Sequence, residues 1–321
     1  MNNQKIQIIR AIAIIAVVMI HTTPDGMWQV FCKPFINFAV ATFIFLSGYL
    51  TRIDNENWAN FYTRRISRVI VPYVIWTLIY SVLDEPSFNL WQLIKKLISA
   101  NANSTLYFIF VYIQFVLLTP ILARLAKSNY RNLVWLVAPI SVIIFKYYVL
   151  FENIEPNKNL ALLWANLCLG WFTFYYLGLI LGNKIIERRY NLHILFILYA
   201  AAIILQICEG YLWALSDITG CGSQLKLSSI LTSSLFVLII YTLLENDNYQ
   251  PSCRTLSFIG DHSFGIYLSH IMILKGLEKI AFYKYIPYPL NALSVLSLSL
   301  LFCWVVYRVV GKRTSRWIGV I

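Results

Sequence analysis

Acidic residues, and charge in general, are scarce in this chain of 321 residues. Asp and Glu together number 14 against 26 Lys and Arg, and charged residues make up only 12% of the sequence. Soluble domains carry about 25% charged residues, so an ordinary water-soluble globular protein is excluded. The 59% hydrophobic content falls instead into repeated apolar runs near the bilayer-spanning length of about 20 residues.

Cysteine and histidine are too few and too scattered to encode a metal site. The six cysteines form no CxxC pair and no cluster with the four histidines. We therefore expect neither a zinc centre nor a disulfide framework, and no permanently bound cofactor. Pairing of Cys208 with Cys221 across one loop stays open. HExxH and Walker motifs are also missing from the sequence.

The apolar runs predict an all-α polytopic membrane protein with about ten transmembrane helices in one bundle. The helices are expected near residues 5–23, 33–51, 66–83, 104–124, 132–150, 162–183, 191–208, 225–244, 263–282 and 288–309. No long polar segment interrupts them. Residues 1–321 are therefore expected to form a single transmembrane domain without an appended soluble domain.

Lys and Arg are distributed unevenly between the predicted loops. Most of the 26 basic residues fall on the side that holds both termini and the even-numbered loops. Because cytoplasmic loops carry an excess of Lys and Arg, both termini are predicted to be cytoplasmic. The net charge of +12 then reflects membrane topology, and no nucleic-acid partner is expected.

The first apolar stretch, Ile6–Thr23, carries Arg10 and His21. Eleven residues correspond to three helical turns plus about 20°, so the two side chains share one face about 16 Å apart along the axis. A cation in an apolar span costs at least about 2.5 kcal/mol. Two interpretations stay open: Arg10 snorkels to the interface while His21 caps the far end, or both belong to a polar seam in which His21 is a reactive base.

Three arginines precede the third predicted helix: Arg64, Arg65 and Arg68. At spacings of three and four residues they form one cationic patch on a helix. Guanidinium groups match phosphate geometry with paired hydrogen bonds, so the patch suits a polyphosphate. Arginines beside a span also follow from the positive-inside rule alone.

A second polar stripe lies on the ninth predicted helix. Ser263, Tyr267 and His270 fall at positions i, i+4 and i+7, which is one helix face. His270 is either a packing residue or a direct participant in chemistry. Weaker candidates for lining a cavity are Ser47, Tyr107 and Gln114. Gly178 and Gly182 form a small-xxx-small pair, which packs helices either within one chain or across a homodimer.

Taken together, these motifs resemble the membrane-bound acyltransferase family 3, which includes O-acetyltransferases of cell-surface polysaccharides. The resemblance covers essentially the whole chain. It is carried by Arg10 and His21, by Phe43–Tyr49, by Arg65 and Arg68 followed by Pro72, and by Ser263–His270. The chain departs from the family pattern at Gln7, where an acidic residue is frequent, and at Ala11, where glycine is frequent.

The resemblance implies an O-acyltransferase in the cytoplasmic membrane of a bacterium. Its donor substrate would be acyl-CoA, most often acetyl-CoA, with phosphates held by Arg64, Arg65 and Arg68. A pantetheine arm is about half a bilayer long and would carry the thioester toward His21. The acceptor would be a sugar hydroxyl of a cell-envelope or exported polysaccharide, arriving from the outer side, or laterally if lipid-linked.

In this interpretation His21 removes the hydroxyl proton, and Arg10 orients the donor or stabilises negative charge. Ser47, Tyr107, Gln114, Ser263, Tyr267 and His270 would line or position the substrates. An acyl-histidine intermediate is a competing mechanism. The rival functions are a polysaccharide or small-molecule exporter without acyl transfer and a sensory membrane domain.

Overall fold

A computed structural model describes residues 3–53, 57–85, 87, 89–147, 166–216 and 220–320. Throughout this part of the chain the secondary structure is helical and no strand is present. Within the described residues, seven helical segments are long and apolar enough to cross a membrane. The prediction of an all-α polytopic membrane protein is therefore confirmed.

The described residues of the first half of the chain form seven α-helices. They are α1 (Asn3–Thr22), α2 (Met27–Cys32), α3 (Phe38–Tyr49), α4 (Trp58–Asp84), α5 (Leu90–Ser99), α6 (Tyr107–Ala126) and α7 (Val137–Val142). The second half adds α8 (Phe172–Gly182), α9 (Leu192–Ala214), α10 (Leu227–Glu245), α11 (Arg254–Asp261), α12 (Ser263–Glu278) and α13 (Leu290–Ile318). Short 3₁₀ or π turns lie at Lys33–Phe35, Asn129–Leu136, Ile143–Tyr147, Leu169–Trp171 and Ala281–Tyr285.

The ten predicted helices all have helical counterparts, but their ends differ. Helix α4 begins at Trp58, earlier than predicted, because the Asn57 side chain accepts a hydrogen bond from the Asn60 backbone N–H and caps the helix there. Helix α13 runs on to Ile318 because it bends at Gly311 instead of ending. The predicted helices at 132–150 and 162–183 include residues 148–150 and 162–165, which lie outside the described residues.

The chain divides into two compact units. Unit 1 contains the described residues within Met1–Ile53, Ile121–Glu155 and Leu169–Gly260, and unit 2 those within Asp54–Pro120, Pro156–Cys168 and Asp261–Ile321. The expectation of a single transmembrane domain stays a prediction.

Unit 1 is built around α3 and α8, whose apolar side chains are almost all buried. Helices α1 and α10 pack against α3. Lys5 of α1 is buried and its ammonium donates to the carbonyl oxygens of Leu243, Leu244 and Asn246 at 3.3, 3.3 and 2.7 Å. A lysine thereby satisfies carbonyls that the end of α10 leaves without intrahelical partners.

Three glycines allow the backbones of α3 and α8 to touch. A Cβ atom at Gly178 would collide with the Phe45 carbonyl oxygen, and one at Gly182 with the Tyr49 carbonyl. From the other helix, a Cβ at Gly48 would collide with the Tyr175 carbonyl. The glycine pair predicted to pack helices therefore does so within the chain.

In unit 2, α12 packs against α13, and α13 packs against α4. Two hydrogen bonds join these helices through buried aromatic residues of α4. The Tyr80 hydroxyl donates to the Leu268 carbonyl at 2.7 Å, and Trp76 Nε1 donates to the Ile318 carbonyl at 3.0 Å. Both bonds tie α4 to the helices that carry the polar residues described below.

Candidate functional site

Helix α1 of unit 1 carries Arg10 and His21 on one uninterrupted α-helix. Arg10 is half-buried, whereas His21, in the last turn, is exposed. The hydroxyls of Thr22 and Thr23 bond back to the Val18 and Met19 carbonyls at 3.0 and 2.6 Å, so the last turn stays ordered beside the imidazole. An exposed imidazole on a fixed helix end can reach a substrate, which a general base must do.

Ser47 lies on α3, the helix against which α1 packs. Its hydroxyl oxygen is buried and has no hydrogen-bond partner among the described residues. Buried polar atoms normally have a partner, so this hydroxyl has capacity for a bound water or ligand atom. The predicted lining role of Ser47 stays a prediction.

The three predicted arginines differ in their surroundings on α4 of unit 2. Arg64 is exposed and its Nε donates to the Asn60 carbonyl of its own helix at 3.2 Å. The Arg65 guanidinium lies over the Phe61 ring, 5.3 Å from its centroid. Arg68 is exposed one turn further along the helix, and among the three it alone lines the cavity described next.

A basic cavity of about 450 Å³ opens between α4 and the end of α13, both in unit 2. Helix α4 contributes Ser67, Arg68 and Pro72 to its wall. Helix α13 contributes Lys312, Arg313, Arg316 and Trp317. We call these seven residues the basic cavity. Among the described residues its wall contains four cationic side chains and no carboxylate, so it can attract a polyanion.

The sequence distinguishes Lys312, Arg313 and Arg316 only as members of the excess of basic residues on the side that holds both termini. The positive-inside rule explains such an excess by itself. The signal that sets them apart is Gly311, a glycine directly before a Lys-Arg pair within an otherwise continuous helix.

The polar stripe on α12 is buried in unit 2. Ser263, Tyr267 and His270 are at most 6% exposed, and the rings of Tyr267 and His270 lie 6.1 Å apart. The Tyr267 hydroxyl donates to the Thr105 carbonyl oxygen. His270 Nδ1 lies 3.1 and 2.8 Å from the Ile266 and Tyr267 carbonyl oxygens, which assigns the proton to Nδ1 because a carbonyl only accepts.

The remaining predicted residues of unit 2 lie on α6. Tyr107 is half-buried at its first position. Gln114 is held by backbone groups: its Nε2 donates to the Asn166 carbonyl at 2.6 Å, and its Oε1 accepts from the Cys168 N–H at 3.1 Å. Whether either side chain touches a substrate stays a prediction.

The described residues contain no group of three or more His, Cys, Asp or Glu side chains that could hold a metal ion. All six cysteines, Cys208 and Cys221 among them, are free thiols. The candidate residues offer an imidazole, guanidinium groups and hydroxyls.

Comparison with known proteins adds one finding to this geometry. No curated protein and no solved structure matches the chain. A family model described as an acyltransferase domain, that of acyltransferase family 3, matches residues 3–308. The match spans nearly the whole chain, from α1 with Arg10 and His21 to the last turns of α13 before its bend. The chain is a multi-pass membrane protein that belongs to acyltransferase family 3.

Proposed function

We propose that this protein transfers an acyl group, acetyl in the first instance, from cytoplasmic acyl-CoA to a sugar hydroxyl of a cell-envelope or exported polysaccharide. Family membership supports acyl transfer in general. The basic cavity is the observation that supports acyl-CoA as the donor. Its four described cationic side chains, with no carboxylate beside them among the described residues, suit the phosphates of CoA. The bacterial cytoplasmic membrane is the proposed location.

The proposed chemistry assigns the proton transfer to His21. Its neutral imidazole takes the proton of the acceptor hydroxyl as the oxygen attacks the thioester carbonyl carbon. The tetrahedral intermediate then expels the thiolate, breaking the C–S bond, and the thiolate takes the proton from the imidazolium. The products are the sugar ester and free CoA. Exposure of His21 on an ordered helix end supports this role.

Arg10 is proposed to stabilise the negative charge that develops in the reaction. The intermediate carries negative charge on the former carbonyl oxygen, and a guanidinium stabilises such charge most where water is scarce. Arg10 is half-buried within an apolar helix, which supports this assignment. An acyl-histidine intermediate would use the same two residues in two steps and is distinguished by trapping acylated His21 in the absence of acceptor.

The test compares wild type with His21→Ala in purified, detergent-solubilised protein. We expect turnover to fall by about 100-fold or more because general-base catalysis is lost, with CoA binding unchanged. Turnover is measured as CoA release with a hydroxyl acceptor, and binding by calorimetry. His193→Ala is the matched control, since His193 is also exposed but lies at the start of α9.

Retained turnover in His21→Ala would contradict the base assignment. Flux of unmodified polysaccharide through vesicles, with no acyl-CoA consumed, would favour the exporter instead.

A further inference from the structure

We propose that the segment Lys312–Trp317 of α13 is the second wall of the donor site and binds the nucleotide end of CoA. Lys312, Arg313 and Arg316 would hold its phosphates, and Trp317 would stack on adenine. The inference rests on the proposed function for the donor class. It adds residues that the family match does not reach, because that match ends at residue 308.

The segment is directed to the cavity by a bend that requires glycine. Gly311 has φ 73° and ψ 171° inside α13, a backbone conformation that other residues rarely adopt. The Ser315 hydroxyl donates to the Gly311 carbonyl at 2.8 Å, and Ser315 is fully buried. The bend is therefore a defined structural feature, after which the helix takes a new direction.

Helix α4 holds the segment after the bend. Trp76 Nε1 donates to the Ile318 carbonyl at 3.0 Å. A Cβ at Gly319 would approach side-chain atoms of Pro72 and Leu268 to 2.9 Å, so the chain passes close to α4 and α12 at this point. The basic side chains are consequently presented from an anchored backbone, which lowers the conformational entropy that binding would cost.

The four cations of the basic cavity have no partner within the described protein. The side chains of Arg68, Lys312, Arg313 and Arg316 form no ion pair or hydrogen bond with any other described residue. Like charges around one cavity repel one another, at a cost that a polyanion bound among them removes. Three negatively charged phosphate groups, as in CoA, match this arrangement.

The size and aromatic content of the cavity favour a nucleotide over a bare phosphate. Its volume of about 450 Å³ lies in the range of about 300–1,000 Å³ typical of small-molecule sites. Whole CoA is larger, so the cavity would take one end of it. Trp317 is 53% exposed beside the cations, so its ring is available for a base to stack on it.

The experiment measures binding of CoA, 3′-dephospho-CoA and 4′-phosphopantetheine to the full chain in zwitterionic nanodiscs. For the variant K312Q/R313Q/R316Q we expect CoA affinity to fall about 100-fold or more, since three charge-assisted contacts to phosphate are lost. Wild type should prefer CoA to 3′-dephospho-CoA, and the variant should lose that preference. Affinity for 4′-phosphopantetheine should change least.

Trp317→Leu should weaken CoA and 3′-dephospho-CoA about equally, by roughly tenfold, and leave 4′-phosphopantetheine unaffected. Two control variants come from the same helix. Arg308 is exposed and its guanidinium lies over the ring of Trp304, 5.3 Å from the centroid, outside the cavity. Arg308→Gln and Trp304→Leu should bind CoA like wild type.

The outcomes separate this inference from the proposed function. If K312Q/R313Q/R316Q binds CoA as tightly as wild type does, the assignment of Lys312–Trp317 to the donor site is wrong. Acyl-CoA then remains the proposed donor. Absence of CoA binding in folded wild type overturns the donor class as well. If anionic lipid added to the nanodiscs displaces CoA from wild type only, the same cations also take lipid phosphates. A different result would contradict the inference: K312Q/R313Q/R316Q no longer binds anionic lipid but still binds CoA as wild type does. In that case Lys312–Trp317 is a lipid site.

Discussion

Gln114 and Lys5 show how single polar residues are used inside this apolar protein. Both side chains bond mainly to backbone groups: Gln114 joins α6 to Asn166 and Cys168, and Lys5 caps the end of α10. Unsatisfied backbone groups are costly where water is absent. A polar residue in a predicted span is therefore as well suited to satisfy the backbone as to meet a substrate.

Replacing Gln114 with Leu separates these two uses. We expect the variant to be destabilised by about 2 kcal/mol, because the Asn166 carbonyl and the Cys168 N–H lose their partner. Thermal unfolding in detergent measures the change, with the exposed Gln250→Leu as control. A raised KM for acceptor in folded Gln114→Leu, without loss of stability, would instead assign the residue to the site.

At the scale of helices, the contact between α3 and α8 in unit 1 brings two helix backbones directly together. Gly178 and Gly182 could be predicted as packing residues from their spacing. Their partner could not, because the spacing is the same for a contact within the chain and for one across a dimer. Gly48 on the facing helix was assigned no packing role, since a single glycine has no periodicity to reveal its contact.

A methyl group at Gly178 should therefore disrupt unit 1. We expect Gly178→Ala to destabilise the protein by about 3 kcal/mol or more, because the added Cβ meets the Phe45 carbonyl and lies 2.7 Å from the Tyr49 N atom.

Gly276→Ala is the matched control for this variant. Gly276 is also within a helix, α12, and has nothing within 4 Å of an added Cβ, so the change should stabilise by about 0.5–1 kcal/mol. Equal unfolding temperatures for the two variants would contradict the glycine contact.

At the scale of the whole chain, the pattern of apolar runs was sufficient to predict where the apolar helices lie, but not their ends or the short helices α5 and α11. An apolar run is recognised as a membrane-spanning helix from its length and hydropathy alone, and both are local properties of the sequence. The basic cavity could be predicted only in part, through Arg68. Its other cations lie more than 240 residues further along the chain, and the bend at Gly311 that turns them toward α4 depends on tertiary contacts with Trp76 and Pro72.

The predicted orientation places the basic cavity on the cytoplasmic side, where CoA is available. We expect a cysteine at position 248, in the loop after α10, to react with an impermeant maleimide only after the membrane is opened. A cysteine at position 87 should react in intact cells. Both single-cysteine variants, Asn248→Cys and Ser87→Cys, are made in a chain whose six native cysteines are replaced by serine. The reverse labelling pattern would invert the topology.

The backbone contact between α3 and α8 also limits how unit 1 can move. Sliding one helix along the other by a single residue, about 1.5 Å, would bring the side chains beside Gly48, Gly178 and Gly182 against the opposing carbonyls. The pair is therefore locked in register and moves as one rigid body. Any rearrangement of unit 1 during a catalytic cycle must take place in the helices around this pair, and the amides of α3 and α8 should be the last in unit 1 to exchange with deuterium.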